Sequence, residues 1–140
     1  MYGLGLDASE SRVCRAALAG VEAFEEVDHA GPPDAAAVVL DAMNLGRSLA
    51  LFAEVASLGV PVVGVLTRAD EAARSGRSVD RVKLAEALGC PLIEGARKQG
   101  MDPAALRRAV DATLAAGPWL APPEGGWSAW GPRVKDAVVE

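Results

Sequence analysis

The chain is poor in the residues that build metal centres. A single histidine, His29, and two cysteines, Cys14 and Cys90, are spread over 140 residues without the spacing of a metal-ligand set. That argues against structural zinc and against a disulfide framework, and it leaves the cysteines as small core residues and His29 as a solvated turn residue. Long apolar runs are also missing. Although 51% of the residues are apolar, no run approaches the ~18 to 20 residues that cross a bilayer, and the N-terminus lacks a basic stretch leading into a long apolar one. The sequence therefore reads as a cytoplasmic chain without direct membrane insertion. Positive charge is scarce too, with 14 Lys and Arg against 19 Asp and Glu and a net charge of −5, and its scatter along the chain disfavours a nucleic-acid partner. No G-x-G-x-x-G, nucleophile–base pair or acid–base pair of carboxylates lies where an enzyme of the Rossmann or flavodoxin type would need it.

What the chain does have is a strand-helix-strand pattern between Ala36 and Asp70. Val38 to Leu40 and Val60 to Leu66 are continuous, β-branched apolar runs, as expected of parallel strands covered on both faces. Between them Leu49, Phe52, Val55 and Ala56 recur at helical spacing, forming a stripe that can lie on the sheet. Asp41 and Asp70 follow the two runs, and the carboxyl ends of parallel strands are where open α/β sheets collect ligands. On spacing alone Asp41 is a strand terminator and Asp70 an ordinary helix cap.

The flanking segments extend the pattern. Tyr2 to Leu6 reads as a first strand, Ser9 to Leu18 as a helix with Arg12 in its first turn, and Val21 to Val27 as a weak edge strand interrupted by Glu22, Glu25 and Glu26. Val79 to Leu88 reads as a helix with Val82, Leu84, Ala85 and Leu88 apolar, stopped by Gly89. Leu92-Ile93 is a brief strand, Gly95 to Gly100 a basic loop, and Asp102-Pro103 the start of a last helix ending near Ala116. Gly117 to Pro132 then gathers all three tryptophans among four prolines and four glycines, before a short helical stretch from Arg133 to Val139.

The phrase PDAAAVVLDAMNLGRSLALFAEVASLGVPVVGVLTRADEA, from Pro33 to Ala72, carries a resemblance. With the later Leu88-Gly89-Cys90-Pro91 and Gly95-Ala96-Arg97, it is similar in order and spacing to the cytosolic GTPase domain of the ferrous-iron transporter B family, FeoB, one of the Ras-like G domains. The resemblance covers Pro33 to Leu114. It implies a P-loop-NTPase-like, Rossmann-like α/β fold with a mostly parallel sheet and helices on both faces: a reduced G domain over residues 1–116, followed by a tail over 117–140. It places Thr67, Arg68 and Asp70 at the N/T-K-x-D motif, whose aspartate accepts hydrogen bonds from the guanine edge. Gly95, Ala96 and Arg97 fall at the loop whose backbone meets the guanine oxygen.

The same resemblance puts Gly5 to Gly20 at the phosphate loop, G-x-x-x-x-G-K-S/T, in which glycines let the backbone wrap phosphates, lysine supplies charge and a hydroxyl holds magnesium. Gly5, Ser9, Ala17, Leu18 and Gly20 match. Glu10 stands for the second glycine, Ser11 for the lysine and Arg12 for the hydroxyl, and there is no room between Gly20 and Asp28, or between Gly31 and Asp34, for the two switch segments. The implication is a G-domain fold without catalytic residues or metal ligands: a binding or regulatory module connected with ferrous-iron uptake, with no required cofactor and at most weak GDP or GTP binding. The alternative is a guanine-nucleotide-binding protein that keeps the base through Asp70 and replaces phosphate contacts with Arg12, Arg97 or Lys98. Trp119, Trp127 and Trp130 either fold back on the domain or serve self-association or a protein partner.

Overall fold

The sheet is built around the run that is most continuously apolar. The computed structural model describes residues 9–19, 32–95, 100–116 and 137–139. Its elements are α1 (Ser9–Leu18), β1 (Ala36–Asp41), a 3-10 turn (Ala42–Asn44), α2 (Leu45–Ser57), β2 (Val62–Thr67), α3 (Ala69–Arg74), β3 (Ser78–Val79), α4 (Arg81–Leu88), β4 (Leu92–Gly95), α5 (Pro103–Ala116) and β5 (Val138–Val139). β2 lies between β1 and β4, parallel to both. All but the last of its residues are buried, so every side chain from Val62 to Leu66 meets protein whichever face it points to.

Register and alternation separate the two faces. Val38 pairs with Gly64 and Leu40 with Leu66, and Gly64 pairs with Leu92. On that face Val38, Leu40, Val62, Leu66 and Leu92 form one core with Leu49, Phe52, Val55 and Ala56 of α2 and with Leu84 and Leu88 of α4. The stripe legible in the sequence is thus the buried face of α2. Gly64 is what lets β4 close on this core, since a Cβ there would lie 2.5 Å from Leu92 Cδ1. Val63 and Val65 alternate to the opposite face, where α5 packs on β2 and β4 and buries its Ala109 and Thr113.

Local chemistry fixes the element ends. Asp80 caps α4, its carboxylate accepting from the amides of Val82 and Lys83, and Gly89 ends it in the left-handed region at φ 69°, donating to the Ala85 carbonyl. Asp102 accepts from Ala104 N–H just before α5, with Pro103 at the first helical position, where its missing donor costs nothing.

Three expectations need correction. The helix expected from Val79 begins at Arg81, because Val79 extends as β3 and Asp80 takes the cap. Val82 is 57% exposed and does not belong to that helix's core face. The helical stretch expected over Arg133 to Val139 is instead strand at its end, since Val138–Val139 pair antiparallel with Ser78–Val79. Tyr2 to Leu6, Val21 to Val27 and the tryptophans lie outside the described residues.

Cys90 yields a test of the core. It is 5% exposed between α4 and β4, and burial pushes its thiol up to about 12. An acid whose folded pKa is raised favours the folded state below the unfolded pKa, and that contribution is lost as pH rises toward the folded value. Stability to urea is therefore expected to hold below pH ~9 and then to fall by an additional ~1.4 kcal/mol per pH unit relative to Cys90→Ala. Identical alkaline slopes for the two proteins would show that the thiol is not buried as described.

Candidate functional site

Asp41, Thr67 and Gly95 end the three parallel strands in one row, Asp41 paired with Thr67 and Thr67 with Gly95. A cavity of about 820 Å3 opens at this carboxyl edge. Val39 and Val65 form an apolar lining, Met101 stands at the approach to α5, and Thr67, Arg68, Glu71 and Gly95 supply the polar side. The position is the one that parallel-strand topology predicts for a ligand site.

Arg68 dominates its electrostatics. It is held at φ 59°, the only non-glycine residue with positive φ among the described residues, a conformation that costs an ordinary side chain roughly 1–2 kcal/mol. What holds it there is a bidentate pair and a bridge. Arg68 Nε and Nη2 donate to the two carboxylate oxygens of Glu71 at 2.9 and 3.0 Å, and Nη1 donates to Asp41 Oδ2 at 3.0 Å. Hydrogen bonding to Glu71, reinforced by the charge of Asp41, holds the guanidinium protonated even more firmly than usual. Arg68, which the resemblance places in the N/T-K-x-D motif, ties the end of β1 to the start of α3.

The other sequence candidates fall out as follows. Thr67 lines the cavity and donates from Oγ1 to the Leu40 carbonyl at 3.3 Å. Gly95 lines it as well. Asp70 is not among the residues around the cavity; it sits in the first turn of α3, whose cap position belongs to Arg68, and its Oδ2 accepts from Arg74 Nη2 at 2.6 Å. Asp41 is a terminator, as its spacing indicates: Oδ1 accepts from Met43 N–H at 2.9 Å, while its own N–H donates to Ser48 Oγ. At the phosphate-loop positions the backbone is helical from Ser9, so Glu10, Ser11 and Arg12 lie in the first turn of α1. Ser11 is 1% exposed and Arg12 is exposed. Gly5, Ala96 and Arg97 lie outside the described residues. Among the described residues no group of three or more His, Cys, Asp or Glu could hold a metal ion. Sequence reasoning missed Glu71, whose pairing with Arg68 depends on the left-handed cap that turns the arginine back onto the first turn of α3.

Asp41 carries two separable duties, which mutations can divide. Asp41→Ala is expected to cost ~1–2 kcal/mol in urea unfolding, the usual loss of a capping acceptor. Asp41→Asn, which keeps an acceptor for Met43 N–H, should lose less than half of that. Equal losses would mean that the cap contributes nothing.

A parallel sheet with helices on both faces and a cavity at its carboxyl edge, in this order of elements, defines an α/β fold of the P-loop-NTPase, G-domain type. The family model described as ferrous iron transport protein B matches residues 1–110, and the chain belongs to that family. It is 39% identical over 75 residues to an Fe(2+) transporter FeoB of Synechocystis sp., a match covering 54% of this chain and 12% of that protein. Among solved structures, the cytosolic domain of the T. maritima FeoB iron transporter in a GDP form superposes with a TM-score of 0.69 at 23% identity, covering 91% of this chain and 46% of that one. The FeoB G-domain from Methanococcus jannaschii gives 0.66 at 22% identity, covering 82% of this chain and 67% of that one. The chain thus spans only a small part of the length of the curated relatives it matches.

Proposed function

We propose that the chain is a pseudo-GTPase: a degenerate FeoB-type G domain that serves as a cytoplasmic binding or regulatory module connected with ferrous-iron transport. The observation that carries this reading is the residue set that opens α1, where Glu10, Ser11 and Arg12 stand at the positions of the second glycine, the lysine and the magnesium-binding hydroxyl. Ser11, at the lysine position, is a short buried side chain without positive charge, and Arg12 offers no hydroxyl to magnesium. These residue types do not fit a magnesium-bound triphosphate. The base side supports the same reading, because Arg68 is committed to Asp41 and Glu71 and Asp70 is paired with Arg74.

Charge-assisted contacts contribute ~1.5 to 3 kcal/mol each, so the loss of lysine and magnesium link lowers affinity by roughly two to four decades. Hydrolysis would further require positioned water and stabilisation of transition-state charge. Calorimetry with guanosine, GDP and GTP, with and without magnesium, is expected to give affinities no tighter than ~10 µM, together with no phosphate release. Submicromolar GTP binding that depends on magnesium would overturn the proposal. Guanosine binding as tight as GDP binding would favour the alternative, a protein that reads the base through the cavity lined by Thr67, Arg68 and Gly95. The connection with iron transport rests on the names of the relatives, and a partner for the tryptophan-rich segment belongs to the same proposal.

A further inference from the structure

The region matched by the family ends at residue 110, yet residues well beyond it return to the domain. Ala137 is fully buried in the main core. Its carbonyl accepts from Asp80 N–H at 2.7 Å, and the two residues after it form β5 on β3. Asp80 is also the cap of α4. Among the described residues, the C-terminal segment is therefore attached at the joint between β3 and α4 by the buried Ala137 methyl group, by Val138 packed against the core, by a backbone hydrogen bond and by a two-residue ladder.

That joint leads directly to the cavity. β3 is joined to α3 through Ser75, Gly76 and Arg77, with Gly76 at φ 83° and Arg77 N–H donating to the Ala72 carbonyl at 3.0 Å. α3 packs on both β3 and the 3-10 turn after β1. Its first turn carries Glu71 and is entered through Arg68, whose guanidinium reaches Asp41, the residue that caps the 3-10 turn. A short helix of six residues has little capacity to hold itself together. Ala72 buries in the main core, and beyond that anchor the helix is held by the Arg68 ion pairs at its start and the β3–β5 ribbon after its end.

We infer that Ala137–Val139 form an intramolecular strap that clamps β3 and, through α3, fixes Arg68 and Glu71 at the mouth of the cavity, so that releasing the C-terminus loosens the cavity wall. Among the described residues the strap adds only a two-residue ladder to β3, and a pairing this short opens below the free energy of global unfolding. The intervening residues 117–136 are long enough to reach from the end of α5 to β3, at up to ~3.3 Å per residue. The coupling concerns this chain's own elements and holds whether or not a nucleotide enters the cavity.

Hydrogen exchange with peptide resolution tests it in two directions. In a chain lacking residues 137–140, amides of α3 and β3 are expected to exchange ~10-fold faster or more, while those of Leu49 to Ala56 in α2 keep their protection, the pattern of a local opening. Coupling is reciprocal, so Arg68→Ala in the full chain, a change at a half-exposed side chain, is expected to speed exchange at Val138 and Val139. The second variant decides the matter if the truncated chain does not fold. Unchanged exchange at Val138 and Val139 in Arg68→Ala, unchanged α3 in a folded truncated chain, or an equal acceleration of α2 would each overturn the strap. Protection of β3 that rises with protein concentration would overturn it as well, because the strand would then come from a second copy.

Discussion

Val63→Asp is expected to leave the chain unfolded. Val63 is fully buried on the central strand, with β1 on one side and β4 on the other and α5 packed over its face. A carboxylate there meets the Val65 and Ala109 side of the core, and an uncompensated buried charge costs several kcal/mol against a total stability of ~5 to 15 kcal/mol. Val39 points to the same face of the sheet from β1 but is 58% exposed, so Val39→Asp should fold with a stability within ~0.5 kcal/mol of the parent. Circular dichroism and urea titration of the pair check this. A soluble, cooperatively unfolding Val63→Asp protein would remove β2 from the centre of the sheet.

The parts of this fold that could be read in advance are those whose signal is local. β2 and α2 were legible because a continuous β-branched run and a three-and-four spacing of apolar residues each state their own burial, and α5 because Asp102-Pro103 is a cap in sequence as well as in space. β5 was not legible. Two valines after Lys135 and Asp136 carry no period of their own, and what makes them a strand is Ser78–Val79, about sixty residues earlier. The site shows the same division. The row Asp41, Thr67 and Gly95 was legible only in part, since the apolar runs locate the strands but stop at Leu40, Leu66 and Ile93, short of the residues with which β1, β2 and β4 end. The grip of Arg68 on Asp41 spans 27 positions and depends on a left-handed backbone at Arg68, which nothing in an arginine suggests. Asp70 and Arg74 stand four apart on one helix face, a pairing that spacing does offer; it is the alternative to guanine recognition for that carboxylate.

Rebuilding the phosphate loop with Glu10→Gly, Ser11→Lys and Arg12→Ser is expected to raise affinity for GDP and GTP by ~100-fold or more without creating hydrolysis. The glycine removes the acidic side chain at position 10 and lets the backbone approach the phosphates, at a cost of ~1 kcal/mol in helix stability. The lysine restores a cation for the phosphates, and the serine restores the hydroxyl for magnesium. Each of the last two is a charge-assisted contact of ~1.5–3 kcal/mol, which together give the two decades even after the helix penalty. Ser11 is 1% exposed, so the lysine must leave that packing to reach a phosphate, and the melting temperature of the unliganded variant should fall. Added GDP should recover part of it, as binding to the folded state alone requires. Turnover stays absent because the substitutions leave the short intervals between Gly20 and Asp28 and between Gly31 and Asp34 as they are, without chain for the segments that position water and close over the terminal phosphate. A folded triple variant that binds no better than its parent would show that the defect lies on the base side, at Arg68 and Asp70. One that hydrolyses GTP would show that the missing switch lengths are not what prevents turnover.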